Sequence, residues 1–226
     1  MLTSQELKIY AASAGALRCG VAGIERFENA PEGFAPKDVY SRCRSVIVML
    51  RQMPVGAILA ENPIPYTHTA YKMYEEMDRL SMDVLRFCQS KGVGGALVPA
   101  DVPYLYWDEE RQQGKGIISL KHAAVQAGLG ILGRSTIFLN KEYGNMVYIG
   151  AVLLDTDLEQ DPIVTDFSCP PRCSVCINKC PAGAIKDGTV DQKLCRAQSF
   201  FKTQRGWDLY NCNTCRRLCP LRDGVK

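Results

Sequence analysis

Eight cysteines crowd the last quarter of this 226-residue chain: Cys169, Cys173, Cys176, Cys180, Cys195, Cys212, Cys215 and Cys219. Two segments share one pattern, C-x2-C-x3-C-P. Cys173, Cys176, Cys180 and Pro181 form the first copy; Cys212, Cys215, Cys219 and Pro220 repeat it 39 residues later. Each copy has one further cysteine upstream, Cys169 or Cys195. Two sets of four thiolates are what two cubane [4Fe-4S] clusters require. Short spacings let one loop wrap three irons, and the cysteine before proline begins a separate segment. In two-cluster ferredoxins that fourth cysteine binds the other cluster. The expected ligand sets are therefore Cys169, Cys173, Cys176 with Cys219, and Cys195, Cys212, Cys215 with Cys180. One departure lies at Cys169, which is separated from Cys173 by three residues where two are usual.

Other metal and redox chemistry fits less well. Zinc sites also use C-x2-C pairs, but two Cys-Pro endings and a four-plus-four count suit clusters better. Disulfides belong to oxidising compartments, and the N-terminus shows charged residues and no apolar stretch of the kind that marks a secretory signal. A cytoplasmic, reducing location is the expectation. No apolar run approaches the roughly 20 residues of a membrane span. Cys19, Cys43 and Cys88 stand outside the pattern and are expected to be small buried apolar residues.

Charge is uneven along the chain. Residues 1–168 hold 16 Lys and Arg against 20 Asp and Glu, whereas residues 169–226 hold 11 against 4. Two oxidised clusters would add about −2 each, so the basic excess offsets them; it is not read as a nucleic-acid patch. With 46% hydrophobic residues the remaining chain can bury an ordinary globular core.

The elements that must position the cysteines can be read from periodicity. Helices are expected near residues 4–15, 68–91 and 119–127. The middle one carries Tyr71, Tyr74, Met77, Leu80, Val84 and Phe87 on one face, and Gly92 and Gly94 end it. Strands are expected at 19–24, 46–50, 96–98, 137–139 and 147–154. Residues 54–65 and 103–116 read as irregular loops. Alternating strands and helices imply an α/β (α+β) domain over residues 1–165, followed by a ferredoxin-like double-cluster domain over residues 166–226.

Residues 119–159, leading straight into the cysteine pattern, carry AGLG at 127–130, G-R-S-T at 133–136 and E-x-G at 142–144. In this order, joined to a double-cluster pattern, they resemble epoxyqueuosine reductase, and more distantly the corrinoid-containing reductive dehalogenases. The resemblance implies a nitroreductase-like domain holding cobalamin beside one cluster, with a flavin as the alternative occupant. It implies an oxidoreductase fed by a low-potential electron donor protein. The implied cofactor-binding residues are Lys121, His122, Gly128, Leu129, Gly130, Gly133, Arg134, Ser135 and Thr136. The three glycines would let backbone approach a flat ring, although a helix cap and tight turn would also explain AGLG.

Two features depart from that family. Where it carries a proton-donating aspartate, this chain has Gly114; Asp108, Glu109, Glu110, Tyr106 and His122 are the substitutes within reach of sequence reasoning. His68 is a further proton donor to weigh, although for it, as for His122, a structural role is the better reading. The chain also stops soon after Pro220, without the helical repeats that help hold tRNA, which makes a tRNA substrate doubtful. A small-molecule substrate or a partner protein remains. The competing functional class is a ferredoxin-like electron carrier or activator that serves a partner protein, with the α/β domain as a docking platform.

Overall fold

The computed structural model describes residues 2–225. Helix α1 (Ser4–Ser13) starts at Thr3, whose side chain accepts from the Glu6 N–H, a standard N-cap. Strand β1 (Arg18–Gly23), the short helix α2 (Pro36–Val39) and strand β2 (Ser45–Gln52) follow. Next come α3 (Val55–Leu59) and the 28-residue helix α4 (Pro63–Ser90). Strand β3 (Gly95–Val98) leads to a hairpin of β4 (Tyr106–Asp108) and β5 (Gln113–Lys115), then helix α5 (Leu120–Gln126). A second small hairpin pairs β6 (Ile131–Leu132) with β7 (Phe138–Leu139), and β8 (Val147–Leu154) completes the main sheet.

That sheet has the order β1-β2-β8-β3, and every neighbouring pair is antiparallel. The fold is therefore α+β; alternation of strands and helices along the chain does not here signal a parallel sheet. The first six residues of β2 are all buried because both faces are covered. Ile47 and Met49 join Leu7, Ala11, Met77, Leu80 and Val84 on the α1/α4 side. Val46, Val48 and Leu50 join Ala123, Ala124 and Leu129 on the α5 side. In β8, Val152 and Leu154 face the first core and Ala151 and Leu153 the second, as a two-residue repeat requires.

Three local readings change. The stretch 54–65 is not all loop: it contains α3 and the start of α4, which begins five residues earlier than the apolar pattern suggests. Asn62 caps that start through the Ile64 N–H. Pro63 and Pro65 are tolerated because first-turn N–H groups have no intrahelical partner anyway. The stretch 103–116 contains the β4/β5 hairpin. Cys43 and Cys88 are fully buried as expected, with burial pushing each thiol up to about 11, but Cys19 is only half-buried.

No helix or strand lies between the end of β8 and α6 (Val175–Asn178). The remaining elements are a hairpin of β9 (Ile185–Lys186) and β10 (Thr189–Val190), helix α7 (Gln192–Ser199), a hairpin of β11 (Phe200–Lys202) and β12 (Asp208–Tyr210), and α8 (Thr214–Arg217). The repeat seen in the sequence is also a repeat of shape. Ser174 precedes α6 at φ −130, ψ 18, and Asn213 precedes α8 at φ −131, ψ 19.

Candidate functional site: two cysteine quartets and an adjoining cavity

Helices α6 and α8 each carry the middle cysteine of one motif, Cys176 and Cys215, and the chain crossing between motifs sorts all eight cysteines into two groups. Cys169, Cys173, Cys176 and Cys219 line one small pocket together with Gly133, Arg134 and Ser135. Burial, then the neighbouring Cys169 and other thiols, raise the pKa of Cys219; burial chiefly raises that of Cys176. Cys180, Cys195, Cys212 and Cys215 form the other group. Burial and the nearby Cys195 and Cys212 push Cys215 up to about 11, and burial followed by Cys180 and Cys212 raises Cys195. Each group thus takes three cysteines from one motif region and one from the other.

A cluster and a single ion would draw the thiol sulfurs to different separations. A tetrahedral zinc site holds its sulfurs only about 3.8 Å apart, given a Zn–S bond of about 2.3 Å. Among the described residues no three His, Cys, Asp or Glu side chains gather closely enough to hold one metal ion. A cubane spreads its four thiolates further, because each binds a different iron. Two short contacts already address the sulfurs: the Ala184 N–H donates to Cys180 Sγ at 3.3 Å, and Cys212 Sγ lies 3.4 Å from Thr214 Oγ1.

The G-R-S-T segment is the turn between β6 and β7, and its tip forms a wall of the first pocket. The Thr136 N–H donates to Gly133 O at 2.8 Å, which sets Thr136 at φ 62, an uncommon conformation for a β-branched residue. Arg134 donates to the Cys173 carbonyl and pairs with Asp187 at 2.8 and 3.0 Å. These contacts tie it to the cysteine loop. The E-x-G element docks the last motif. Gly144, at φ 59, lies against the Leu221 and Arg222 carbonyls so closely that no Cβ would fit. Asn145 Nδ2 donates to Arg216 O at 3.0 Å, and the Asn145 N–H to Arg222 O at 3.1 Å.

The AGLG glycines have a packing role. Gly128 N–H donates to Val125 O and Leu129 N–H to Ala124 O, both at 3.0 Å, which is the paired Schellman ending of α5. A Cβ on Gly128 would meet the Pro162 carbonyl, and one on Gly130 the Leu139 carbonyl. Protein backbone, not an open face for a ring, fills those spaces. Lys121 Nζ donates to Thr136 O at 3.3 Å, and burial pushes its pKa down. His122 shares a 2.6 Å hydrogen bond with Ser119 Oγ, with its pKa lowered by partial burial and then by Lys121. It sits in the first turn of α5.

A cavity of about 980 Å³ opens between α4, the loop after β3, and the α7/β11/β12 part of the cysteine region. Its lining includes Tyr71, Tyr74, Tyr104, Phe200 and Tyr210, with His68, Lys72, Gln112, Lys193 and Arg196 around them. Arg196 follows Cys195 directly, and Tyr210 lies two residues before Cys212, so the second quartet adjoins the cavity. The Arg196 guanidinium sits 5.3 Å from the Trp107 ring and 5.1 Å from that of Phe200.

Of the proton donors weighed from sequence, His68 lines this cavity, whereas Asp108, Glu109, Glu110, Tyr106 and His122 do not. Asp108 accepts the Arg111 N–H at 2.9 Å, Glu109 accepts from Trp107 and Gln112, and Glu110 is exposed. Tyr106 packs edge-on to Phe34 with Lys115 over its ring. The acids that do line it are Glu75, Asp78, Asp101 and Asp208.

These features define a class: a mixed α+β domain with a large interior-facing cavity, joined to a paired tetracysteine region. No family model matches the chain. It is 30% identical to epoxyqueuosine reductase of Staphylococcus aureus (strain NCTC 8325 / PS 47) over 122 residues, 49% of this chain and 31% of that enzyme. Among solved structures, epoxyqueuosine reductase with an epoxyqueuosine-modified tRNA-Tyr stem loop matches with a TM-score of 0.67 at 18% identity, covering 98% of this chain and 66% of that one. A reductive dehalogenase described in terms of B12-dependent dehalogenation gives 0.72 at 18% identity, covering 98% and 32%. At such identities the structural likeness is one of fold. Over about half its length the chain is similar in sequence to epoxyqueuosine reductases, and its fold is similar to those of epoxyqueuosine reductase and a reductive dehalogenase. Its matched segment spans less than a third of the Staphylococcus relative, and no helix among the described residues is long and apolar enough to cross a membrane.

Proposed function

We propose that this chain is an iron–sulfur oxidoreductase that carries electrons through two [4Fe-4S] clusters toward a corrinoid held in the 980 Å³ cavity, for reductive chemistry. The observation that carries this reading is the sorting of eight cysteines into two interlocked quartets, the second of which borders the cavity. Cysteines 169, 173, 176 and 219 would hold the cluster nearer the 133–135 turn, and cysteines 180, 195, 212 and 215 the one beside the cavity.

The cavity fits a large flat cofactor. Its aromatic rings offer apolar faces, and its Gln, Lys and His side chains offer hydrogen bonds to amide arms. A corrinoid bound there would supply cobalt-centred reductive chemistry, while the protein positions and shields the reacting atoms. The basic excess of residues 169–226 suits docking of an acidic, low-potential electron donor protein.

The test is anaerobic reconstitution followed by addition of cobalamin and, separately, of a flavin. Visible spectra should report stoichiometric cobalamin binding with the axial base displaced, and no flavin binding. Stoichiometric zinc with little sulfide would remove the cluster reading, and flavin binding without cobalamin would replace the corrinoid.

A further inference from the structure

The two cysteine motifs share one backbone but differ in charge at one matching position. Ile177 in α6 and Arg216 in α8 stand 39 residues apart, each directly after the middle cysteine of its motif. Their backbones make the same bonds. The Ile177 N–H donates to Ser174 O at 3.1 Å and the Arg216 N–H to Asn213 O at 3.0 Å; the two carbonyls accept from Cys180 at 3.3 Å and Cys219 at 3.4 Å. One copy therefore carries an uncharged side chain where the other carries a guanidinium. That guanidinium lies inside the protein. Arg216 Nη1 is 3.5 Å from the sulfur of the fully buried Met53, and the guanidinium carbon sits 5.4 Å from the ring of Tyr148, itself buried.

A buried cation is costly unless an anion stands close by. Arg216 makes no ion pair with a carboxylate among the described residues. The side chains that act most on its charge are Tyr66, Tyr148 and Tyr74, phenols that burial keeps protonated. What Arg216 does adjoin is the second quartet. It follows Cys215 directly, and Tyr66 senses the charge of Arg216 together with those of Cys215 and Cys212. Arg196, directly after Cys195, adds a further cation on that side. The first quartet has no buried counterpart. Arg134 there is matched by the exposed Asp187 at 2.8 Å, and Arg172 is exposed, so solvent screens both.

We propose that Arg216 is the counter-charge of the second cluster and raises its reduction potential above that of the first. The inference rests on the reading of the two quartets as [4Fe-4S] sites. Reduction by one electron adds a negative charge to a cluster that already carries about −2. A buried cation beside it therefore stabilises the reduced form more than the oxidised one, and charge around a cluster is one of the levers that set its potential. An electron that enters at the first cluster, from a low-potential one-electron donor protein, then runs downhill to the cluster that borders the cavity. The first cluster is reoxidised, the second is reduced, and no bond or proton changes. One side chain, exchanged between two copies of a motif, gives the pair its direction.

The experiment is a potentiometric titration of the full chain, reconstituted anaerobically and followed by electron paramagnetic resonance. The parent should show two reduction steps. In Arg216→Gln the higher step should fall by at least a tenfold change in its one-electron equilibrium, about 59 mV, with the lower step unmoved. Arg216→Lys keeps the charge and should keep most of the gap. Arg216→Met is a second neutral variant, able to pack against Met53 and Tyr148. Iron and sulfide contents equal to the parent's separate a change of potential from a change of fold. A higher step that stays put in a loaded neutral variant, a fall confined to the lower step, or equal shifts in both overturns the inference and leaves the two-cluster reading standing. Loss of the second cluster from both neutral variants, with Arg216→Lys still loaded, makes Arg216 an assembly residue and overturns it as well. A parent protein that takes up no [4Fe-4S] cluster overturns the two-cluster reading and the inference together.

Discussion

Gly144 and Leu221 meet backbone to backbone: the hydrogen of Gly144 that a side chain would replace points at the Leu221 carbonyl oxygen. This contact joins the α+β domain to the turn that follows Cys219. Gly144→Ala would have to displace that turn and also hold alanine at φ 59. The expected cost is about 1–3 kcal/mol, read in denaturant unfolding, together with reduced iron content in the quartet that includes Cys219.

The interlocked ligation has its own signature. Anaerobically prepared protein should contain about eight irons and eight sulfides per chain. Cys180→Ala should damage the cluster held by Cys195, Cys212 and Cys215, and Cys219→Ala the one held by Cys169, Cys173 and Cys176. Cys19→Ala and Cys88→Ala should leave the iron content alone. Electron paramagnetic resonance of the reduced variants would separate the two clusters; loss of the Cys173/Cys176 cluster in Cys180→Ala would reverse the pairing.

Arg134 tests whether the G-R-S-T turn serves the cluster or the cofactor. Its contacts go to the Cys173 carbonyl and to Asp187. Arg134→Ala should loosen the first cysteine loop and shift its opening equilibrium toward the open form. Faster bleaching of one cluster in air is the expected result, with cobalamin affinity unchanged. A large loss of that affinity would return Arg134 to the cofactor.

Asp155 gives a pH-dependent contribution to stability. Arg42 above all, then Tyr40 and the Gly94 N–H, hold its pKa below the usual carboxylate range. A carboxyl depressed in the folded state stabilises above its unfolded pKa, and that stability is lost as pH falls through the folded value. Asp155→Asn should therefore cost about 1–2 kcal/mol near neutral pH and little in strong acid. Equal destabilisation at both ends would show that the charge plays no part.

The cysteine spacing and the main helices and strands were legible because each is a local pattern. Ligand spacing, a two-residue alternation or a run such as Tyr74, Met77, Leu80 and Val84 is written in neighbouring residues. What packs against Gly128 and Gly130 was not. A glycine beside a ring and a glycine beside a carbonyl look the same in sequence, and only the fold places Pro162 O and Leu139 O where the Cβ atoms would be. Strand direction also escaped, since antiparallel pairing of β2 with β8 joins residues about a hundred positions apart. The cavity belongs entirely to the tertiary structure. Asp101, Arg196 and Tyr210 share a wall only because α4 and the β3 loop pack against the cysteine region. Nothing in their spacing along the chain announces that meeting. The sequence by itself determined which thiols could act together; packing decided which acid faces the space beside them.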